Sequence, residues 1–159
     1  MQCKLPLFGA AAVLFVCGPV MAQPVPLLSG KYATTYNEIC QAGTNTTNYS
    51  TGATYNQILV VDFNKATKTV SLTGTSVYGP LVVNGAPTKL TQTSINTSYP
   101  YSNTATTITI GSDTFNALYG PLILAMPQWV VFGGISSRGC SASAVAIRQS
   151  PLSVTIPPP

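Results

Sequence analysis

Histidine is absent from this chain of 159 residues, and charge is scarce: seven Lys and Arg against three Asp and Glu, together 6% of residues. Without histidine there is no Ser-His-Asp or Cys-His relay, and no side chain whose ordinary pKa lies near neutrality. The three carboxylates are Glu38, Asp62 and Asp113. A glycosidase pair needs two of them within ~5–9.5 Å. A hairpin around the 41–53 loop sets Glu38 opposite roughly Gln57, so Asp62 falls about five residues further on, ~17 Å away at ~3.3 Å per residue. Asp113 sits in a Gly-Ser-Asp turn, where Asp forms local hydrogen bonds. Gly133-Gly134 is followed by neither Lys nor a helix, so it is no phosphate loop. Nothing in the sequence places a Ser–Lys hydrolase pair. Beyond residue 22 the bases Lys31, Lys65, Lys68, Lys89, Arg138 and Arg148 outnumber the acids, for a net charge of +3. They form no run and interleave with no aromatics, too weak a footprint for nucleic acid. These absences point away from an enzyme, a cofactor or a nucleic-acid partner.

Helical patterning is missing too. No window places apolar residues at helical spacing, and Gly, Pro, Asn and Thr recur throughout. The one long apolar run, Leu5–Cys17, follows Lys4 and closes at Gly18-Pro19-Val20-Met21-Ala22, a small-residue cleavage pattern. Residues 1–22 therefore read as a signal peptide, leaving no membrane span after cleavage and an exported (periplasmic or secreted) protein. The run is shorter than the ~20 residues of a spanning helix. A retained anchor and a lipid-modified Cys17 are the alternatives, though Val16 is large for the residue before a lipidated cysteine. Export leaves Cys40 and Cys140 as an even pair in an oxidising compartment, so a disulfide is expected. Two cysteines about 100 positions apart, without histidine, make no zinc site.

What remains is strand and turn chemistry. Gln23–Leu28 is an extended lead-in with two prolines. Gly30–Cys40 is a first strand with Tyr32, Thr34, Tyr36, Glu38 and Cys40 on one face; Glu38 is expected to point outward. Gln41–Ala53 is a long polar loop carrying glycosylation sequons at Asn45 and Asn48, with another at Asn96. Thr54–Phe63 alternates with Tyr55, Leu59 and Phe63 core-facing, and Lys68–Tyr78 returns after a turn. Val77–Val83 and Leu118–Leu124 share an aromatic-Gly-Pro-apolar device, and Pro there marks a bend or an edge. Asn84-Gly85 is a turn dipeptide. Thr88–Thr97, Thr104–Ile110 and Thr114–Tyr119 are further strands, with Tyr99–Asn103 read as a turn. Gln128–Phe132, with the sole tryptophan Trp129, reads as buried on both faces and broken by Gly133-Gly134. Cys140–Gln149 is the last strand. Residues 150–159 form a Pro-rich tail, leaving 23–149 as one domain.

About eight strands with short connections form an antiparallel meander, which closes into an up-and-down barrel or folds as a β-sandwich. In an eight-stranded barrel the first and last strands are antiparallel neighbours. That brings Cys40, at the end of one, beside Cys140, at the start of the other. Gly30-Lys31-Tyr32 opening the first strand, and Arg148 on the closing one, resemble the calycin barrels, the lipocalin and avidin group. That group has Trp where this chain has Tyr32. The resemblance implies a barrel and a Tyr32–Arg148 contact, and names no ligand.

The reading is a non-catalytic barrel binding a small apolar or amphipathic ligand. Tyr32, Tyr55, Leu59, Phe63, Phe115, Tyr119 and Trp129 are the expected binding residues, with Val70 in the same inward set. A packed core is the competing account of those residues. A structural or adhesion-type β-sandwich is the alternative function, suggested by the Thr- and Asn-rich surface.

Overall fold

The computed structural model describes residues 24–43, 52–81 and 90–149. The expectations for residues 1–22, Asn45, Asn48, Asn84-Gly85 and the tail 150–159 lie outside these. In chain order the elements are β1 (Gly30–Gln41), β2 (Gly52–Asn64), β3 (Thr69–Pro80), β4 (Thr91–Asn103) and β5 (Thr107–Ile110). There follow β6 (Asp113–Tyr119), β7 (Leu122–Ile123), β8 (Met126–Pro127), β9 (Trp129–Ile135) and β10 (Ser141–Arg148). Eight strands close an antiparallel up-and-down barrel in the order β1-β10-β9-β6-β5-β4-β3-β2, and β7-β8 is a small separate hairpin between β6 and β9. The sheet closes on itself as a barrel rather than splitting into a sandwich.

The closing seam pairs β1 with β10, from Tyr32↔Arg148 to Ile39↔Ser141. Just beyond that last pair the Cys40–Cys140 disulfide joins the strands, with Cα atoms 4.4 Å apart. Both cysteines are buried. The bridge closes a loop of 100 residues. By chain-entropy bookkeeping that is worth up to ~4.7 kcal/mol. Tyr32 and Arg148 are register neighbours, and the Arg148 charge opposes the upward push that burial exerts on the Tyr32 pKa.

Period-2 alternation carries the core. Tyr32, Leu59, Val61, Phe63, Val70, Tyr101, Ile108, Phe115, Val130 and Phe132 point inward, with Ala142, Ala144 and Ala146 from β10. The small alanines face large neighbours: Ala144 lies between Tyr36 on β1 and Phe132 on β9. Alternation of small and large side chains is how a narrow barrel fills its interior.

The barrel has unequal walls. β1 to β4 are 12 or 13 residues long, whereas β5 has four and β6 seven. β4 pairs with β3 from Thr91 to Pro100, and with β5 only from Tyr101 to Asn103. This overturns the reading of Tyr99–Asn103 as a turn. The strand runs on because Tyr101 buries its ring and donates its hydroxyl to Leu28 O at 2.8 Å. The turn comes at Thr104, whose Oγ1 accepts from the Thr106 and Thr107 amides. Two expectations for β9 also fail. It is not buried on both faces: Val130 and Phe132 turn in while Val131 is exposed, since one side of a barrel wall faces water. Nor does Gly133-Gly134 break it, since both residues pair with β10. A Cβ at Gly133 would lie 2.8 Å from Ala142 O, so glycine permits the close approach of the two strands.

One end is plugged. Residues 24–29 cross it, with Leu28 fully buried and Asn103 Nδ2 donating to Pro26 O at 2.9 Å. The β7-β8 hairpin covers the rest: Pro127 is buried, and its carbonyl accepts the Tyr32 hydroxyl at 3.1 Å.

Candidate functional site

The opposite end is hollow. A cavity of about 450 Å³ enters there, within the size range of small-molecule sites. Its wall is apolar: Leu59, Val61, Leu72, Ile110, Phe115 and Phe132. The polar groups gather at the mouth, where Tyr36, Glu38, Gln57, Asp113 and Arg138 also line it. The short β5-β6 turn leaves the mouth open on one side, and Tyr99 packs against Gly111 there.

Glu38 is the centre of the polar set. It points inward and is fully buried, contrary to the outward orientation expected from sequence. The alternation of β1 requires this, because Tyr32, Thr34 and Cys40 share its face and all are buried. A buried carboxylate needs partners. Ser136 Oγ donates to Oε1 at 2.6 Å, and the Arg138 guanidinium pairs with Oε2. The Tyr36 hydroxyl faces the same carboxylate; burial first, then the Glu38 charge, pushes its pKa well above the tyrosine range.

Both partners come from the β9-β10 turn, which the disulfide anchors. Ser136 N donates to Cys140 O at 2.8 Å, and Cys140 N to Ser136 Oγ at 3.3 Å. Arg138 also lies over the Tyr55 ring, 4.8 Å from its centroid, and Tyr55 stacks on Tyr78. Asp113 accepts from Ser137 N at 2.6 Å, tying the short β5-β6 turn to the same loop. Glu38, Cys40 and Cys140 place potential metal-ligand atoms within 4.8 Å of one another. Both sulfurs are spent in the disulfide and both carboxylate oxygens have donors, so this trio is not a set of free ligands.

The residues expected to bind divide by height along the barrel. Leu59 and Phe115 line the cavity. Tyr55 stands at its rim beneath Arg138. Tyr32 and Phe63 are packed edge to face in the plugged half, with Val70 buried in the same core. Tyr119 also lies at that end, donating its hydroxyl to Thr107 O at 2.8 Å. Trp129 turns to the outside of the wall and packs on Gly120. Sequence reasoning missed Tyr36, Leu72, Ile110, Phe132 and Arg138. Tyr36 and Leu72 share strand faces with Tyr32 and Val70, whereas Phe132 lies on the face of β9 opposite to Trp129, and Ile110 lies on a strand from which no binding residue was expected. Arg138 had no signal beyond its place two residues before Cys140. Glu38 pairs with Tyr55, not Gln57, and Asp62 with Lys31 at the far end. Asp113, expected to serve only its own turn, reaches the mouth that Glu38 occupies.

A second hollow of about 370 Å³ lies on the outer wall over Thr35, Ile58, Val131 and Val145, side chains turned away from the interior. It is a surface depression rather than a route to the core. Comparison with family models, with curated proteins and with solved structures finds no match.

Proposed function

We propose that the protein binds a small amphipathic molecule in the open half of the barrel, without transforming it. The observation that carries this reading is the division of the 450 Å³ cavity into an apolar wall and a polar mouth. A ligand with an aliphatic or aromatic body and one polar end fits that division. The body would lie against Leu59, Leu72, Phe115 and Phe132. The head would meet Arg138, Gln57 and Tyr36. An eight-stranded up-and-down barrel is what the calycin resemblance implies, and this chain has that architecture.

Catalysis is the weaker reading of the same residues. Glu38 and Asp113 both accept hydrogen bonds within the mouth, from Ser136, Arg138 and Ser137. They are built into the rim rather than poised over the cavity. Lys31, Lys65 and Lys68 belong to the plugged end, so none of them can serve a serine at the mouth.

One observation favours the structural alternative. Among the described residues, Thr91–Pro100 of β4 has a strand partner on one side only. A free edge can add a strand from another molecule. Concentration-dependent oligomers would support that reading. For the ligand reading, native mass spectrometry of the purified protein should show a bound mass that organic solvent releases. An unliganded mass, together with no response to any lipophilic probe, would overturn it.

A further inference from the structure

The plugged end carries a surface unlike the rest of the molecule. The β7-β8 hairpin pairs Leu122↔Pro127 and Ile123↔Met126, leaving Leu124 and Ala125 as its two-residue turn. Both turn residues have positive φ, 50° and 63°. Such turns favour Asn-Gly because side chains resist that conformation. Here the turn holds instead the most exposed large apolar residue described, Leu124 at 83%, beside Ile123 at 58% and Leu122 at 41%. Folding alone does not ask for this choice.

The hairpin is also held firmly. Leu27 N donates to Ala125 O, Gln128 N to Pro121 O and Arg148 N to Gln128 O. With Pro127 buried over the barrel, the tip is fixed in an outward pose. The apolar surface continues up the adjacent wall through Leu118, Ile147 and the half-buried Trp129, which lies opposite Ile147 in register.

Charge is sorted between the two ends. Lys31 and Arg148 stand at the plugged end of the seam, and Lys65 and Lys68 lie in the β2-β3 turn beside it. Asp62, opposite Lys31, is the one described acid there. The open end holds Glu38 and Asp113 with Arg138. Basic residues that look scattered along the sequence are gathered by the barrel topology onto the end that bears the apolar tip.

We propose that this end docks on an anionic lipid surface, with Leu122, Ile123 and Leu124 entering the acyl boundary and the four basic residues meeting the headgroups. Two signals, an apolar insertion and a basic patch, are what stable peripheral attachment requires. The net positive charge of the end that bears the tip favours lipid over a neutral protein pocket. The cavity mouth then faces away from the membrane, open to water. This inference does not depend on what the cavity binds.

Flotation of the purified full-length protein with phosphatidylcholine–phosphatidylglycerol vesicles tests it. Binding should weaken as salt is raised and should be much lower on phosphatidylcholine alone. The double substitution Leu124→Asn, Ala125→Gly supplies the residues that the turn favours. It should raise the melting temperature by a few degrees yet reduce vesicle affinity at least about tenfold. In a Leu124→Trp variant, brominated acyl chains should quench the emission of the introduced indole. Equal vesicle binding by the Asn-Gly variant and the wild type would overturn the proposal. So would added emission in the Leu124→Trp variant that brominated lipid leaves unquenched. Self-association in solution that the Asn-Gly variant abolishes would overturn it too, since the tip would then serve a second copy.

Discussion

Glu38 and Arg138 form a pair whose two members stand differently toward water. The Glu38 side chain is 0% exposed and that of Arg138 is 44%. If Glu38 becomes Gln, the guanidinium can turn to solvent, and the loss is that of charged hydrogen bonds, ~1–3 kcal/mol. If Arg138 becomes Met, a carboxylate stays buried without its countercharge, a loss of ~3 kcal/mol or more. Urea unfolding should therefore rank Arg138→Met below Glu38→Gln. The reverse order would mean that the pair is not buried as described. A second residue-scale consequence concerns tyrosine. Burial is the first cause raising the pKa of Tyr32, Tyr36, Tyr101 and Tyr119, with Tyr119 pushed up to about 12 from 10.0. Above pH 10 the unfolded chain loses phenolic protons that the native one keeps, so stability should be level below that pH and fall as pH rises toward 12. Unfolding midpoints across this range, with tyrosinate absorbance recorded alongside, should show late titration released on denaturation. Glu38 also shows the reach of sequence reasoning. Alternation places it on the face of Tyr32 and Cys40, but a buried acid needs a partner, and the sequence shows none beside it. Its partners lie about 100 positions away on a loop with no periodicity, which no local pattern reveals.

Strand identity was legible because period-2 alternation and turn residues are local signals. Of the long strands, β1, β2 and β3 begin or end close to where Gly, Asn and Pro predict. Errors fell where tertiary packing overrides local chemistry. Pro100 looked like a turn, yet β4 runs through it, drawn on by burial of Tyr101. Gly133-Gly134 looked like a break, yet glycine there lets β9 and β10 approach. Gly74 makes the same point and can be tested. A Cβ at this residue of β3 would lie 2.0 Å from Ile58 O on β2. Gly74→Ala should cost ~2 kcal/mol or more through loss of strand pairing, read from thermal melts. An unchanged melting temperature would mean that the two strands are not so close. The plug is an element-scale claim as well. Tyr101→Phe removes the donor to Leu28 O, leaving a buried carbonyl unpaired at ~1–3 kcal/mol. Hydrogen exchange should then accelerate in residues 24–29 ahead of the barrel strands.

At the scale of the whole molecule, the disulfide and the unequal walls divide the labour. The seam clipped at Cys40–Cys140 holds the ring closed and fixes the turn that presents Arg138. Reduction should therefore lower stability by up to ~4.7 kcal/mol and loosen the mouth before the plugged end. Although a sandwich can pair its ends the same way, closure as the favoured arrangement could be read from the sequence, because two cysteines sit at complementary ends of the first and last strands. The cavity could not, because inward aromatics look alike whether they fill a core or line a hollow. Tyr32 and Phe63 fill, whereas Phe115 and Phe132 line. What separates them is the shortness of β5 and β6, visible only once the strands are in register. The most direct test of the central claim is a fluorescence titration with an amphipathic naphthalene sulfonate probe, comparing the wild type with Leu72→Trp and Ile58→Thr. Leu72 lines the cavity and Ile58 is 71% exposed on the outer wall. Saturable binding at one site, lost in Leu72→Trp and kept in Ile58→Thr, is the expected result. Binding that survives Leu72→Trp, or that Ile58→Thr abolishes, would contradict an interior site.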